Sequence, residues 1–143
     1  MHEKLIHSMA KSVVIIPTYN EILNIERMLQ TLNAIHPELH VLIIDDGSPD
    51  GTAGIVKKLQ VEFPFQLHLE ERKGKLGLGT AYIHGFKWAL KNNYDFIFEM
   101  DADFSHNPSD LSRLLEACKG SNVGMSVGSR YTKGGKVENW PLN

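Results

Sequence analysis

Residues 96–110, FIFEMDADFSHNPSD, pass from strand-forming residues into a helix start and place three acids, Glu99, Asp101 and Asp103, where the two meet. Asp101 and Asp103 lie two residues apart, so in an extended segment both carboxylates face the same way, with backbones about 6 to 7 Å apart. Such a pair can share one hard cation. Oxygen ligands without His or Cys suit Mg²⁺ or Mn²⁺, and Mg²⁺ typically takes one or two carboxylates and completes its octahedron with waters and substrate phosphates. The chemistry this predicts is metal-assisted handling of a diphosphate. A D-x-D triplet also recurs by chance on solvated surfaces, and what singles this one out is its position after an apolar strand. Glu99, still within the strand, is the weakest ligand of the three and is expected to pair locally.

Other polar positions divide more plainly. Asp45 and Asp46 end the apolar run HVLIID, where acids also favour turns, and Asp50 in SPDG reads as a turn or cap residue. Tyr19 stands open between a half-buried ring and a ligand contact. The glycine-rich KGKLGLGT is no Walker loop, because Thr80 rather than Lys follows Gly79, and no dinucleotide fingerprint, which belongs after the first strand. Its glycines are expected to bring the backbone close to a ligand or a helix, with Lys73 or Lys75 facing an anion. The seven histidines show no metal-ligand spacing, and His106 reads as a surface residue beside a cap.

These residues need a scaffold. SVVIIP at 12–17 and HVLIID at 40–45 are short β-branched runs typical of strands buried on both faces. QLHLE at 66–70, DFIFEM at 95–100 and VGMSVGS at 123–129 extend the series to five strands. Between them fall helical patterns. The first is 20–35, with Ile22, Ile25, Leu29 and Leu32 on one face and Asn20 as N-cap; the next starts at Thr52, with Ile55, Val56 and Leu59 on one side. A third covers 80–92, and the last runs from Asn107 as N-cap with Pro108 at the first helical position. Five alternations with short connections predict a Rossmann-like α/β domain, a parallel sheet covered by helices. Ligands bind such sheets outside the carboxyl ends of the strands, which is where Pro17, Thr18 and Tyr19, Asp45 and Asp46, Asp101 and Asp103, and Ser129 and Arg130 fall. Four carboxylates from two strands on one edge would be costly to desolvate unpaired, so a cation or hydrogen-bonding ligand is expected there.

With 143 residues the chain has the length of one domain, and a formal net charge of −2 argues against broad nucleic-acid binding. Its single cysteine, Cys118, rules out an internal disulfide and fits a reducing compartment. MHEKLIHSMAK lacks the apolar core of a signal peptide, and the longest apolar runs, VVII and VLII, fall far short of the roughly 20 residues of a membrane span. The expectation is a soluble chain.

Taken together, VVIIPTYNE, IIDDGSPDGTA, GKLGLGTAYIHGFK, EMDADFSHNP and VGSRYTKGG resemble the inverting GT-A glycosyltransferases of family 2, in the branch of the dolichol- and polyprenol-phosphate mannosyltransferases. The motifs occur in order over essentially the whole chain. The resemblance implies a GT-A nucleotide-sugar fold, with residues 1–143 as the N-terminal, donor-binding part of a longer catalytic domain. It implies a sugar-nucleotide donor, GDP-mannose or a UDP-sugar, and a polyprenyl or dolichyl phosphate acceptor. Pro17, Tyr19, Glu21, Ile44 and Asp46 match positions that hold the nucleotide, with Asp46 toward the base. Asp101 and Asp103 match the metal-binding triplet for Mg²⁺ or Mn²⁺, with Ala102 beside the ribose and phosphates. Ser105 stands where some relatives use Gln as a further ligand, and Arg130 matches an arginine facing the donor or acceptor phosphates. Asp101, Asp103 and Arg130 are thus the expected catalytic set, and a cytoplasmic chain, peripheral to a membrane, is the expected setting.

Two rival readings carry their own signatures. DADFS resembles the D-x-D-x-[ST] of aspartyl-phosphate phosphohydrolases, but that nucleophile should follow the first strand rather than the fourth. A sugar-nucleotide-binding module without transfer would keep the cleft and lose the reaction.

Overall fold

A computed structural model describes residues 11–64, 66–120 and 122–129. Strands β1 (Ser12–Thr18), β2 (His40–Asp45), β3 (Leu67–Glu71) and β4 (Phe96–Glu99) form one parallel sheet in the order β3-β2-β1-β4. Helices α1 (Ile25–Ile35), α2 (Thr52–Glu62), α3 (Leu78–Lys91) and α4 (Leu111–Cys118) connect and follow them.

The alternation of β1 decides the layers. Val14 and Ile16 face one way, with Val41 and Ile43 of β2, into a core closed by Ile25, Met28, Leu29 and Leu32 of α1, Val56 and Leu59 of α2, and Leu111 of α4. Val13 and Ile15 face the other way, with Leu42 and Ile44, against Ala81 and Ala89 of α3, with Phe86, Trp88 and Tyr94 packed around them. All four β1 side chains are fully buried, and each such burial contributes about 1.5–3 kcal/mol. Gly85 is what lets α3 lie so close, because a Cβ there would sit 2.6 Å from Cγ2 of Ile15.

The α1 pattern begins later than the spacing predicts. Asn20 is no N-cap: it takes a left-handed conformation, φ 57°, and its N–H donates to Ser48 Oγ. The chain turns until Asn24, so Ile22 lies outside the helix and partly exposed. At the other end of the fold the prediction holds. Asn107 caps a 3₁₀ turn, Pro108–Asp110, accepting from Ser109 N–H, and that turn leads into α4.

The fifth strand is a correction. Residues 122–129 are described but form no strand. Ser126 Oγ instead donates to the Leu114 carbonyl and accepts from Cys118 Sγ, tying the segment to the end of α4. Its Val123, Met125 and Val127 stay exposed, so pairing would gain little burial here, and its two glycines add an entropic cost to an extended ladder.

Candidate functional site

The carboxyl ends of the strands frame an open cleft of about 220 Å³. Pro17, Thr18, Tyr19 and Glu21 enter from the end of β1, Asp46 from β2, and Asp101, Ala102 and Asp103 from the loop after β4. Lys75, Gly77, Leu78 and Ala81 form the wall given by the glycine-rich loop and the start of α3. Parallel pairing is the cause. Register sets Pro17 beside Ile44 and Thr18 beside Asp45, while Ile15 pairs with Glu99, so the chain after each strand emerges on the same edge.

The four carboxylates expected there do not gather unpaired. Asp45 is buried and accepts from Thr18 Oγ1 at 2.7 Å, Ser48 Oγ at 2.6 Å and Ser48 N–H at 3.0 Å, so it fixes the turn after β2. Asp46 is held by Arg72 in a two-pronged ion pair. Asp50 is a turn residue just before α2, accepting from Thr52 N–H and from Ile22 N–H. What remains open to a ligand is the pair after β4.

Asp101 Oδ1 accepts from Tyr82 Oη at 3.1 Å, across from α3. Burial, with the charge of Asp101 and its hydrogen bond, raises the Tyr82 hydroxyl well above its ordinary range, which keeps it a donor. The Asp101 N–H in turn donates to His106 Nδ1. Asp103 accepts from Ser105 N–H at 3.0 Å. Partial burial pushes the Asp103 carboxyl up, yet the hydrogen bonds from Ser105 and the charge of His106 outweigh it and hold the group below its usual value. Asp103 is thus an anion at neutral pH. Opposite the two acids, Lys75 Nζ lies 4.9 Å from the centre of the Tyr19 ring, and among the described residues it forms no ion pair with a carboxylate.

Two expected residues lie elsewhere, and a third is not among those described. Ile44 is fully buried in the core under α3 and does not reach the cleft surface. Ser105 serves Asp103 through its N–H and is not on the cleft wall. Arg130 lies outside the described residues. Arg72 and Tyr82 were the residues that spacing alone passed over. A signal for Arg72 existed in the register, since Asp45 pairs with Glu71 and the next residues on each strand are Asp46 and Arg72.

Among the described residues no group of three or more His, Cys, Asp or Glu side chains gathers as a metal cage. Two carboxylates on a cleft edge nevertheless fit a Mg²⁺ or Mn²⁺ ion that draws its other ligands from water and a diphosphate.

Comparison with known proteins gives a consistent result. The family model for glycosyl transferase family 2 matches residues 13–143. The polyprenol monophosphomannose synthase of Mycolicibacterium smegmatis is 45% identical over 131 residues, 92% of this chain and 49% of that protein. The undecaprenyl-phosphate mannosyltransferase of Micrococcus luteus is 47% identical over 131 residues, covering 92% and 53%. The chain therefore spans about half the length of these relatives. Among solved structures, the mannosyltransferase PcManGT from Pyrobaculum calidifontis in complex with GDP-Man and Mn²⁺ aligns with TM-score 0.51 and 29% identity, over 55% of this chain and 24% of that one. S. aureus TarS 1-349 in complex with UDP-GlcNAc aligns with TM-score 0.59 and 26% identity, over 84% and 37%.

Proposed function

The chain belongs to glycosyl transferase family 2 and carries the parallel sheet of the GT-A fold, and on that premise we propose that it binds the sugar-nucleotide donor of a polyprenyl-phosphate mannosyltransferase. The observation that carries the reading is one cleft with the Asp101–Asp103 pair on one side and Lys75 with Tyr19 on the other. That combination suits a diphosphate flanked by a base. Similarity to mannosyltransferases that use polyprenol phosphates supports mannose and a lipid phosphate, and the GDP-Man complex of PcManGT supports GDP-mannose as the donor.

In this reading Asp101 and Asp103 hold the divalent cation, Mg²⁺ or Mn²⁺, which when bound neutralises charge developing on a departing diphosphate. Lys75 offsets further diphosphate charge from the other wall. Tyr19 and Pro17 contact the nucleotide, and Glu21 and Ala102 flank it. Tyr82 fixes one oxygen of Asp101, leaving the other for the ligand. By its match to the family's arginine, Arg130 is assigned to the donor or acceptor phosphates. The acceptor phosphate oxygen bonds to the anomeric carbon as the bond to the donor diphosphate breaks, and the nucleoside diphosphate leaves with the electron pair. A lipid phosphate is already anionic at neutral pH, so no side chain is needed as general base, and attack from the face opposite the leaving group inverts the configuration. Such donors belong to the cytoplasm, and so does this chain in our reading, at a membrane face where its acceptor lies.

Calorimetric titration of GDP with and without Mn²⁺ tests the donor site. Metal-dependent binding is expected, and equal binding without metal would remove Asp101 and Asp103 from their role. A donor screen with polyprenyl phosphate on the full-length enzyme tests the transfer.

A further inference from the structure

Residues 73–91, the glycine-rich loop and α3, contain four lysines and no acid, in a chain whose net charge is −2. Among the described residues the segment supplies most of the cover on its face of the sheet, with Tyr94 beside it. Ala81, Gly85 and Ala89 turn inward to the strands. At 100° per residue the opposite side of α3 is built by Ile83, Lys87, Leu90 and Lys91, all exposed. Ile83 is 54% exposed and Leu90 67%, and Leu76 on the preceding loop is 57% exposed. The exposed parts of these apolar side chains, set among lysines, gain nothing from packing among the described residues. Among the described residues neither Lys87 nor Lys91 forms an ion pair with a carboxylate; of the acids beside α3, Glu70 is taken by His84 at 3.3 Å and Glu99 acts on Tyr82, near the start of the helix.

We propose that the outer face of α3, with Leu76 at its leading end, docks on an anionic lipid bilayer. The apolar tips enter the headgroup layer and the lysine stems lie along it with their charges at the phosphates. The charge pattern is what commits the surface to this occupant, since lysines without interspersed acids match a uniformly negative sheet rather than the mixed surface of a second copy of this chain. No helix among the described residues is long and apolar enough to cross a membrane, so the contact is one of lying on the surface. The helix that carries this face also borders the cleft, because Leu78 and Ala81 on its inward side line the cleft. Docking would therefore hold the cleft beside the bilayer. The inference stands on this surface and does not require the donor reading.

Co-sedimentation of the chain with vesicles tests it, comparing mixed phosphatidylglycerol–phosphatidylcholine with pure phosphatidylcholine at low salt. Binding to the anionic vesicles is expected to be about tenfold tighter and to weaken as salt rises. Lys87→Glu with Lys91→Glu should abolish the preference, and Ile83→Ser with Leu90→Ser should weaken binding while leaving the thermal midpoint within a few degrees. These four residues lie outside the cleft. Equal binding to both vesicles, no binding to either, or binding indifferent to both double variants would overturn the proposal. So would concentration-dependent dimerisation lost on Ile83→Ser with Leu90→Ser in place of vesicle binding. Vesicle binding without GDP binding would sink the donor reading alone, and the reverse pattern would sink the docking surface alone.

Discussion

Arg72 holds Asp46 from two sides, Nε at 2.7 Å from Oδ1 and Nη2 at 2.9 Å from Oδ2, with less than a tenth of either side chain exposed. The pair sits where β2 and β3 end, with Asp46 lining the cleft. Arg72 also donates to Thr80 Oγ1, which ties the first turn of α3 to the same point. Removing one partner leaves a charge in a place that water barely reaches, so Arg72→Met should cost about 3–5 kcal/mol. Arg72→Met with Asp46→Leu should recover most of that loss. Urea unfolding of the two variants and the parent decides it, and a single-variant cost below about 1 kcal/mol would mean the pair is effectively solvated.

Asp103→Asn should remove the metal-dependent part of GDP binding. Tyr82→Phe, which keeps the ring and deletes only the donor to Asp101, should weaken that part about 10- to 100-fold, as loss of a group that orients a metal ligand does. Calorimetry with and without Mn²⁺ separates the two from general loss of the cleft, because binding without metal should be the same in parent and variants.

At the amino end of the sheet, far from the cleft, His40 Nδ1 lies 2.7 Å from Tyr94 Oη and 3.3 Å from His68 Nε2. Burial lowers both histidines below 6.5; Glu38 opposes this weakly at His40, and the charge of His40 adds to it at His68. The unfolded chain therefore takes up protons near pH 6.5 that the folded chain does not, and stability falls as pH drops from about 7 through that value toward the lowered folded ones. The melting temperature should drop between about pH 8 and about pH 5.5, and His68→Phe should shrink the drop. Asp103 acts in a separate window. Its carboxyl is depressed, so its contribution is complete above 3.8 and is lost only as pH falls below that through its folded value. If His68→Phe leaves the drop unchanged, the histidines are not its source.

Gly85→Ala sets two effects against each other. Alanine gains about 1 kcal/mol of helix preference over glycine, but its Cβ would lie 2.6 and 2.8 Å from Cγ2 and Cδ1 of Ile15, a side chain with no free space around it. Overpacking of this kind costs about 1–3 kcal/mol, so net destabilisation is expected. Combined with Ile15→Ala, the glycine substitution should cost less than it does alone. Thermal denaturation of the four proteins measures the coupling, and strict additivity would place the two residues out of contact.

Strands β1 to β4 were legible because β-branched runs bounded by turn residues have few other uses, and the placement of Asp101 and Asp103 on the ligand edge followed from parallel topology. The start of α1 was not legible. Ile22 matched the apolar spacing, but Ser48, Asp50 and Thr52 draw hydrogen bonds from Asn20, Ile22 and Glu21 N–H groups and hold that stretch as a turn. Spacing cannot weigh such contacts across 28 or more residues. The pairing of Asp46 was hidden for the same reason: a lone carboxylate after a strand looks like a ligand until its partner on the next strand is set beside it. The strand expected at 123–129 depended on alternation alone, and alternation specifies a face without supplying a neighbour.

β4 has four residues, the fewest of any described strand, and among the described residues it is held by β1 only. The acids after it inherit that insecurity. Amide protons of Ile97–Glu99 should therefore exchange through local opening, well before the Val13–Ile16 core yields. A ligand that bridges Asp101 and Asp103 to the opposite wall would bind only the closed form and slow that opening. The edge strand and the ligand are then mutually stabilising, and occupancy of the cleft can be read as a change in how often one side of the sheet comes undone.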